Sequence, residues 1–380
     1  MIVLGSNFAY PGRSRDRKWK ERNRKMNRID RVIEKMKAAG LEQLVVSDPK
    51  SIWYLTGVDV EPFERLFALR VSAEGKHTFF LNKLYNVSNT GLEEVWFSDT
   101  DDYIGLMAEK IGNGGRVGID KEWKAGFLIP LMERLPEMRP VLGSDCVDDC
   151  RAVKDAAEIA LMKKASEIND TVNTLASEYV REGMTEKEVA AFIDRTFLEH
   201  GASGNSFTSI VSFGANAADP HHEPDDTRVK EGDCVLIDMG CVYQRYCSDM
   251  TRTFYFRKAD PEQTKIHDLV REANERAESI IKPGVRFCDI DAVARDLITE
   301  AGYGEYFNHR LGHFIGQTDH EKGDVSSANH RVAEPGMIFS IEPGIYLPGQ
   351  HGVRVEDLVL VTEDGCEVLN KADKHWRIIG

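Results

Sequence analysis

Two aspartates in a short β-rich segment are the residues best suited to chemistry. Residues 234–254 hold two apolar-rich β runs joined by a short polar segment, which predicts an antiparallel hairpin. If the turn centres on Tyr243-Gln244, Asp238 and Asp249 face each other. Side chains that face each other in such a pair lie roughly 5 Å apart, and like charges there are destabilising. A bound cation would relieve that repulsion; the alternatives are two solvated carboxylates or a turn displaced by one residue.

A second pair of carboxylates follows from an internal repeat. Residues 232–240 and 336–344 both read Gly, five residues ending in Ile, a carboxylate, one further residue and Gly. Each half of this region also reads helix, helix, β hairpin, which indicates a duplication. Two such halves packed about a pseudo-twofold axis would bring both hairpins to one centre. Glu342 and, on the following strand, Glu356 would then join the two aspartates.

Two histidines lie between the hairpins, in the run RLGHFIGQTDHE. His313 stands between two glycines, and His320 follows seven residues later. A single histidine is more often structural than a metal ligand, but four converging carboxylates favour a ligand role for His313. Such an oxygen-rich set suits Mn²⁺, Fe²⁺, Co²⁺ or Zn²⁺. Two divalent ions balance four carboxylates, and ions roughly 3.5–4 Å apart can hold a bridging hydroxide as nucleophile. These residues predict a dinuclear hydrolase.

Four helices and several β runs must position these side chains. Thr185 with Glu188 forms a capping box at the start of the second helix, and Asp260 followed by Pro261 starts the third. Apolar spacing predicts helices at residues 156–180, 186–200, 261–281 and 289–301, and β runs at 207–213, 337–346 and 353–362. Together they predict an α+β domain over residues 151–380.

The preceding residues 26–150 predict an α/β domain. The pattern indicates helices at residues 27–39, 101–111 and 122–135 and β runs at 43–46, 52–55, 65–71, 77–81 and 116–119. No metal cluster or phosphate-binding loop stands out in this part of the sequence. The segment from Glu61 to Arg65 is crowded with charged side chains and could rim a site; a solvated surface is the alternative.

Length, charge and cysteine content narrow the function classes. The chain has 380 residues, of which 42% are hydrophobic, enough for two domains with buried cores. Its formal net charge of -14 argues against nucleic acid or an anionic membrane as a partner. No apolar run is long enough to span a bilayer. Seven cysteines without CxxC spacing indicate reduced thiols and a cytoplasmic protein.

Residues 1–25 are expected to form a basic extension. Their basic side chains follow a mildly apolar stretch, whereas a secretory signal carries its charges first. An arginine-rich targeting segment is the alternative. We expect the folded chain to start near Met26.

With these residues identified, the chain resembles the pita-bread metallopeptidases, and specifically their bacterial Xaa-Pro dipeptidase (prolidase) branch. The motifs IDMG…SDMTRT, GHFIGQTDHE, SIEPG and GVRVED carry the resemblance, which extends over residues 26–380. It implies an α/β N-terminal domain followed by an α+β pita-bread domain with an internal pseudo-twofold repeat. All five ligand positions of the family are present, which argues against the creatinase branch, since that branch shares the fold but lacks the metal set.

The resemblance also implies the metal roles. Asp238 would bind one ion, Asp249 and Glu356 would bridge both ions, and His313 and Glu342 would complete the other. Mn²⁺ is the first expectation for both ions, with Co²⁺, Zn²⁺ or Fe²⁺ as alternatives.

Catalytic and substrate-binding roles follow from the same resemblance. In the run PHHEP, the spacing to the second proline selects His221 over His222 as the family histidine. His221 and His320 would bind substrate and stabilise the tetrahedral intermediate. Glu342 would carry a proton between the attacking water and the leaving nitrogen.

Two positions bear on specificity. Arg354, two residues before Glu356, would either support that ligand or meet a substrate carboxylate. Phe314 stands where relatives commonly have glycine, and we expect it to narrow the pocket. No arginine for the carboxylate of the substrate proline can be assigned from a motif. A dipeptidase must sense that carboxylate or block a third residue, and the segment from Glu61 to Arg65 is a candidate for such a wall, with Arg65 as its positive group.

Together these inferences predict a cytoplasmic, homodimeric dipeptidase that uses two metal ions and acts on short proline-containing peptides. Bonds to proline need a dedicated enzyme because the imide nitrogen carries no hydrogen and the ring fixes φ. The alternatives are an aminopeptidase P that acts on longer peptides, a non-catalytic binding module on the same fold, and a metal lyase or hydrolase other than a peptidase.

Overall fold

The computed structural model describes residues 27–380, which divide into two compact units, one ending at Cys150 and one running from Arg151 to Gly380. The expected basic extension of residues 1–25 lies outside the described residues. Within the described range, no helix combines the length and apolar character needed to cross a membrane.

The first unit is built on one mixed six-stranded sheet with the order β4-β3-β2-β1-β5-β6. Its strands are β1 (Gln43–Val46), β2 (Ala68–Ser72), β3 (Thr78–Asn82), β4 (Glu93–Phe97), β5 (Arg116–Ile119) and β6 (Arg139–Leu142). Its helices are α1 (Arg28–Ala38), α2 (Pro49–Thr56), α3 (Tyr103–Ile111) and α4 (Ala125–Arg134), and α5 (Asp145–Ala152) spans the boundary. Apolar side chains on both faces of the sheet are buried.

One predicted strand of this unit is wrong. Residues 52–55 belong to helix α2, not to a β run. Asp48 caps the helix by accepting hydrogen bonds from two backbone N–H groups, Pro49 occupies its first turn, and Gly57 ends it in the left-handed region at φ 74°. A short apolar run cannot be assigned from periodicity alone, and here the Asp-Pro start and the Gly stop decide for the helix. The sequence pattern also missed the edge strands β4 and β6.

Helices of the second unit begin where their capping residues predict. Thr185 and Asp260 each form a capping box at the first residue before a helix, which confirms both predicted starts. The last helix begins two residues earlier than expected, at Phe287. The four helices are α6 (Ala156–Tyr179), α7 (Glu186–Glu199), α8 (Pro261–Ser279) and α9 (Phe287–Glu300).

Two main sheets carry the second unit, ordered β20-β12-β9-β8 and β14-β13-β15-β18-β19, and two smaller sheets are ordered β11-β10-β7 and β16-β17. The strands of the first half are β7 (Gly204–Asn205), β8 (Ile210–Phe213), β9 (Cys234–Met239), β10 (Cys241–Tyr243), β11 (Tyr246–Cys247) and β12 (Met250–Phe256). Those of the second half are β13 (Gly312–Phe314), β14 (Glu321–Val325), β15 (Ile338–Ile341), β16 (Gly344–Leu347), β17 (His351–Arg354), β18 (Asp357–Val361), β19 (Cys366–Val368) and β20 (Ile378–Ile379).

The two halves of this unit repeat one arrangement. Helices α6 and α7 accompany the antiparallel strands β8, β9 and β12, and helices α8 and α9 accompany β13, β15 and β18. In each half a buried asparagine of the long helix donates its amide to a carbonyl beside the predicted acidic ligand. Asn169 Nδ2 donates to Met239 O at 2.8 Å, and Asn274 Nδ2 donates to Ile341 O at 2.8 Å.

The register of the first hairpin differs from the prediction. Asp238 pairs with Thr251, not with Asp249, because the turn centres on Gln244-Arg245, one residue later than expected. Both turn residues have positive φ, 45° and 77°, as expected of a two-residue turn that matches the twist of a hairpin. Asp249 is therefore diagonal to Asp238, and direct cross-strand repulsion does not describe the pair.

Breaks between strands replace the continuous β runs that the sequence predicted. Asp249 lies between β11 and β12, Glu342 between β15 and β16, and Glu356 between β17 and β18. At such interruptions the ladder of hydrogen bonds stops and the backbone can re-aim a side chain. Three predicted ligands thus sit where strands pass from one sheet to another.

Candidate metal centre

All eight residues predicted for the site line one cavity of the second unit, with a volume of about 530 Å³. These residues are His221, Asp238, Asp249, His313, His320, Glu342, Arg354 and Glu356. The lining also includes two half-buried apolar side chains, Phe207 and Ile210, and two residues that the sequence did not indicate, His309 and Arg310.

His313 directs one ring nitrogen at the carboxylates. Its Nε2 lies 3.4 Å from an oxygen of Asp249, 3.5 Å from Glu342 and 4.0 Å from Glu356. Its Nδ1 lies 3.2 Å from the carbonyl oxygen of Phe314, which places the ring hydrogen on Nδ1 and the free lone pair on Nε2. Burial lowers the pKa of His313 to about 3, so the ring is neutral. This is the protonation state that a metal ligand requires.

Asp238, Asp249 and Glu356 are buried and Glu342 is half-buried, and each carboxylate has only part of its hydrogen-bonding capacity satisfied. Thr251 Oγ1 donates to Glu356 Oε2 at 2.7 Å, and Ser340 Oγ donates to Glu342 Oε1 at 3.1 Å. Asp238 Oδ1, Asp249 Oδ1 and Glu356 Oε1 are buried without a hydrogen-bond partner among the described residues. Buried oxygens without a donor are rare in folded proteins and indicate a missing water or ion.

Crowding makes these groups hard to ionise together. Burial raises the pKa of Asp249 well above its ordinary value, and the carboxylates of Glu356 and Asp238 raise it further. Burial, with the charge of Glu342, also raises the pKa of Glu356. The pKa of Glu342 rises to about 7, mainly through burial. Cations among these carboxylates would offset all three shifts, because a neighbouring positive charge favours the ionised carboxylate.

The donor set fits divalent metal ions. Asp249, His313 and Glu356 each offer one donor atom, and the three atoms lie within 4.8 Å of one another, close enough to share one ion. Asp238 is not a member of that trio, and its Oδ1, which has no hydrogen-bond partner among the described residues, is available to a second ion. Carboxylate oxygens with one imidazole nitrogen are the ligands expected for Mn²⁺, Fe²⁺, Co²⁺ or Zn²⁺.

Arg354 supports a different carboxylate from the one expected. Its Nη2 donates to Asp238 Oδ2 at 2.6 Å, its Nη1 to the hydroxyl of Tyr346 at 2.9 Å, and its Nε to Thr251 Oγ1 at 3.0 Å. Thr251 in turn bonds Glu356, so Arg354 reaches that residue only through the threonine. The side chain is 3% exposed. These three hydrogen bonds hold the Arg354 guanidinium in one position beside the carboxylates.

The two adjacent histidines of the PHHEP run have different surroundings. His221 is exposed and lines the cavity, whereas His222 does not line it. His222 Nε2 lies 2.7 Å from Oε2 of Glu186, a fully buried carboxylate at the start of α7. The backbone N–H groups of Phe213 and Asp225 also donate to this carboxylate, at 2.7 and 3.0 Å. Glu186 therefore anchors the loop that carries His221.

His320 lies beside the ligand histidine. Its ring centroid is 3.9 Å from that of His313, and its Nδ1 lies 3.1 Å from an oxygen of Asp319. The side chain is 54% exposed, so it faces the open part of the cavity. A close approach of strands fixes this region: a Cβ on Gly312 would meet Ser340 O at 1.9 Å, and His313 N donates to Ser340 Oγ at 2.9 Å.

The expectation that Phe314 narrows the pocket is wrong. Phe314 is fully buried, and its ring packs on Phe287 and Phe339 with centroids 5.3 and 5.6 Å apart. Successive side chains of a strand point to opposite faces. Because the side chain of His313 points to the centre, that of Phe314 points into the hydrophobic core.

Sequence reasoning missed several contributors to the site. Thr251 lies in the quoted SDMTRT motif, but its bond to Glu356 depends on the hairpin register. Glu186 reads as an ordinary acidic residue of a helix first turn. His309 and Arg310 precede His313 in the run NHRLGH. Two titratable side chains so close in sequence to a candidate ligand could have indicated that they line the site.

Comparisons with known proteins agree with this architecture. Residues 160–363 match metallopeptidase family M24, and residues 28–153 match the creatinase/prolidase N-terminal domain. The chain is 38% identical over 357 residues to a peptidase of Staphylococcus aureus, which covers 92% of this chain and all of the relative. It is similar in structure to a dipeptidase from Pyrococcus horikoshii OT3, with 35% identity, 93% and 100% coverage and a TM-score of 0.88.

A prolidase from Thermococcus sibiricus is also similar, with 34% identity, coverage of 92% of this chain and 98% of that chain, and a TM-score of 0.86. These similarities confirm the predicted fold class, an α/β N-terminal domain followed by an α+β pita-bread domain.

Proposed function

The chain belongs to metallopeptidase family M24, and from that premise we propose that it hydrolyses Xaa-Pro dipeptides with two divalent metal ions, Mn²⁺ first among them. The observation that carries the proposal is the convergence of four carboxylates and one imidazole on one cavity wall. Three of those carboxylates have a buried oxygen that finds no hydrogen-bond partner within residues 27–380. The similar P. horikoshii and T. sibiricus proteins are named a dipeptidase and a prolidase. That naming supports the choice of substrate.

Two ions suit the arrangement of donors better than one. The four carboxylates carry −4 and Arg354 carries +1, so one divalent ion would leave −1 and two would leave +1. Charge alone therefore does not choose between them. A single ion held by Asp249, His313 and Glu356 would leave Asp238 Oδ1 buried without a partner. A second ion would satisfy it, while Glu342, whose Oε1 lies 3.5 Å from His313 Nε2, would join the first.

When bound, the ions would supply an activated water and polarise the substrate carbonyl. The chain's own residues would then orient the peptide and move the proton. The side chain of Glu342 is 15% exposed, against 5% or less for Asp249, His313 and Glu356. Its position at the open side of the centre favours it as the group that carries a proton from water to the leaving nitrogen.

The cavity histidines are placed to stabilise developing charge. His221 and His320 both line the wall that includes the five proposed ligands, and both are exposed to the cavity. A ring N–H donated to the carbonyl oxygen of the scissile bond would favour the tetrahedral intermediate. Phe207 and Ile210 offer an apolar surface for the pyrrolidine ring of proline. Arg354 would keep Asp238 in position without touching substrate.

The proposal is tested by measuring peptide hydrolysis with protein whose metal content has been determined. Ala-Pro should be cleaved in the presence of Mn²⁺, Ala-Ala and Ala-Pro-Ala much more slowly, and a chelator should abolish the activity. Preferential cleavage of Ala-Pro-Ala would instead identify the aminopeptidase P alternative. Absence of cleavage of either peptide by protein with two bound ions would support the non-catalytic binding module. A cytoplasmic location and a homodimeric state remain parts of this proposal.

A further inference from the structure

The position of His320 in the cavity depends on the chain segment that carries it. The side chain is 54% exposed, its Nδ1 lies 3.1 Å from Asp319, and its ring lies beside that of His313. Asp319 belongs to the same segment, so this contact does not fix the ring relative to the metal centre. The segment, residues 315–320, joins β13 to β14, and we call it the His320 loop.

The carboxylate of the next residue, Glu321, folds back under this loop. Its Oε1 accepts a hydrogen bond from the backbone N–H of Gln317 at 2.9 Å. A Cβ placed on Gly316 would meet the same oxygen at 2.6 Å, so glycine at this position leaves room for the carboxylate. The carbonyl oxygen of Gly316 accepts from the backbone N–H of Cys247, on β11, at 2.7 Å. The start of the His320 loop is therefore held by β11 on one side and by Glu321 from beneath.

Two basic side chains from the start of the second unit hold the Glu321 carboxylate. Arg151 Nη2 donates to Oε1 at 2.6 Å, and Lys154 Nζ lies 3.4 Å from Oε2. All three side chains are buried, with 8% of Arg151, 1% of Lys154 and 8% of Glu321 exposed. Burial raises the pKa of Glu321, but the charges of Arg151 and Lys154 outweigh it and lower the pKa to about 2. The carboxylate therefore stays ionised under the loop.

The basic side chains start from a fixed backbone. The N–H of Lys154 donates to the carbonyl oxygen of Gly336 at 2.8 Å, and a Cβ on Gly336 would meet Lys154 O at 2.9 Å. A second buried carboxylate, Glu158 in the first turn of α6, accepts from the Tyr246 hydroxyl at 2.8 Å. Tyr246 precedes Cys247, which bonds the His320 loop. A continuous set of contacts thus connects the start of α6, strand β11 and the His320 loop.

Burial distinguishes this cluster from ion pairs at the surface. Arg65, the positive group that the sequence suggested for a wall, bonds both carboxylate oxygens of Asp99 at 3.0 and 3.1 Å, and the Asp99 side chain is 51% exposed. Exposed pairs of this kind contribute little. Removing one member of a buried pair has a large effect, because the other charge is left uncompensated. We therefore expect the His320 loop to move when the Glu321 carboxylate is altered.

We propose that Glu321, held by Arg151 and Lys154, positions His320 for catalysis. This inference rests on the proposed function, in which His320 donates to the developing oxyanion. Glu321 does not line the cavity and contacts the reacting groups through His320 alone, so it is a positioning residue.

The expected loss lies in kcat. A small displacement of a catalytic group lowers the rate substantially, and complete loss of one oxyanion donor costs on the order of 100-fold. Glu321→Gln, which keeps the size of the side chain and removes its charge, should therefore lower kcat for Ala-Pro on the order of tenfold. KM should change by about twofold or less, because the donor acts in the transition state.

A double-mutant cycle separates positioning from a general effect on the fold. In His320→Ala protein, the residue through which Glu321 acts is gone, so adding Glu321→Gln should lower kcat by about twofold or less. All variants should retain two metal ions, measured by metal analysis. Glu182→Gln, at an exposed ion pair with Arg257, is the matched control and should leave kcat and KM unchanged in both backgrounds.

Glu321→Asp provides the same test with less risk to folding. The aspartate keeps a negative charge beside Arg151 and Lys154, but its carboxylate is one methylene shorter and cannot keep the present bond to Gln317 N. We expect a loss of kcat smaller than that of Glu321→Gln, again absent in the His320→Ala background. Circular dichroism and denaturant unfolding identify the variants that fold, and Glu321→Asp decides the question if Glu321→Gln does not.

The remaining results separate failure of the inference from failure of the proposed function. A folded Glu321 variant with the kcat of wild type would overturn the inference. So would a variant that lowers kcat by the same factor with and without His320, because Glu321 would then act on the fold as a whole. If wild type with two bound ions does not cleave Ala-Pro, or if His320→Ala keeps the full kcat, the proposed function itself fails at this residue and the inference falls with it.

Discussion

Replacing Asp249 with Asn should change stability in opposite directions with and without metal. Asp249 is 3% exposed, its Oδ1 has no hydrogen-bond partner among the described residues, and burial together with Glu356 and Asp238 raises its pKa. The substitution keeps the shape of the side chain and removes one negative charge. Without metal, the negative charge of Asp249 destabilises the folded state. With metal, it is a ligand.

The two effects can be estimated. Protonating a carboxyl of ordinary pKa about 3.9 at pH 7 costs about 4 kcal/mol, an upper limit on what Asp249 costs the metal-free fold. Asn removes this cost but leaves a buried amide to satisfy, at about 1–3 kcal/mol. The metal-free variant should therefore be more stable than metal-free wild type by about 1–3 kcal/mol. Sharing the roughly 10–16 kcal/mol of a four-ligand zinc site equally gives about 3 kcal/mol per ligand lost.

Denaturant unfolding at pH 7, in chelator and in excess Mn²⁺, measures both changes. The midpoint for Asp249→Asn should lie above that of wild type in chelator and below it in Mn²⁺. Asp296→Asn, at an exposed aspartate of α9, is the control and should shift neither midpoint appreciably. A chelated Asp249→Asn protein less stable than chelated wild type would refute the argument that these carboxylates repel one another in the folded state.

Three further substitutions test the surroundings of the centre. His221→Ala should lower kcat on the order of 100-fold with both ions retained, because an oxyanion donor is lost; undiminished kcat would contradict its role. His222→Ala should instead destabilise the fold by about 1–3 kcal/mol, because the fully buried Glu186 loses a hydrogen-bond partner, and a kcat loss equal to that of His221→Ala would contradict the distinction. Burial lowers the pKa of His309 to about 3, so the folded protein keeps it neutral while the unfolded chain protonates it below about pH 6.5. Stability should thus fall as pH drops below 6.5, and by pH 5 the loss should be about 2 kcal/mol smaller in His309→Gln; equal losses in urea titrations would refute this.

Local signals explain how much of the fold the sequence predicted. The capping box at Thr185 and the N-cap Asp260 followed by Pro261 placed two helix starts correctly, because a cap satisfies specific backbone N–H groups within a few residues. The repeat around Asp238 and Glu342 indicated two related halves, because the same residue types recur in the same order along the chain. By contrast, residues 52–55 were assigned to a strand, because a four-residue apolar run has no decisive period.

Long-range geometry accounts for what the sequence could not supply. The hairpin register depends on positive φ at Gln244 and Arg245, which neither residue type predicts. The hydrogen bond between Thr251 and Glu356 depends on that register, so it could not be predicted either. Arg354 donates to a residue 116 positions away, and Glu186 anchors a loop 36 positions away. Such contacts depend on how sheets and helices pack, and no pattern along the chain encodes their partners.

Titration of chelated protein with Mn²⁺, with hydrolysis of Ala-Pro measured at each addition, tests the central claim most directly. The account predicts that activity rises with bound metal and reaches its plateau at two ions per chain. It also predicts that Asp238→Asn, which removes one ligand charge and the partner of Arg354, binds fewer ions and loses activity. Full activity before any metal is added would contradict the two-ion account. An Asp238→Asn protein that still binds two ions and cleaves Ala-Pro like wild type would contradict it as well.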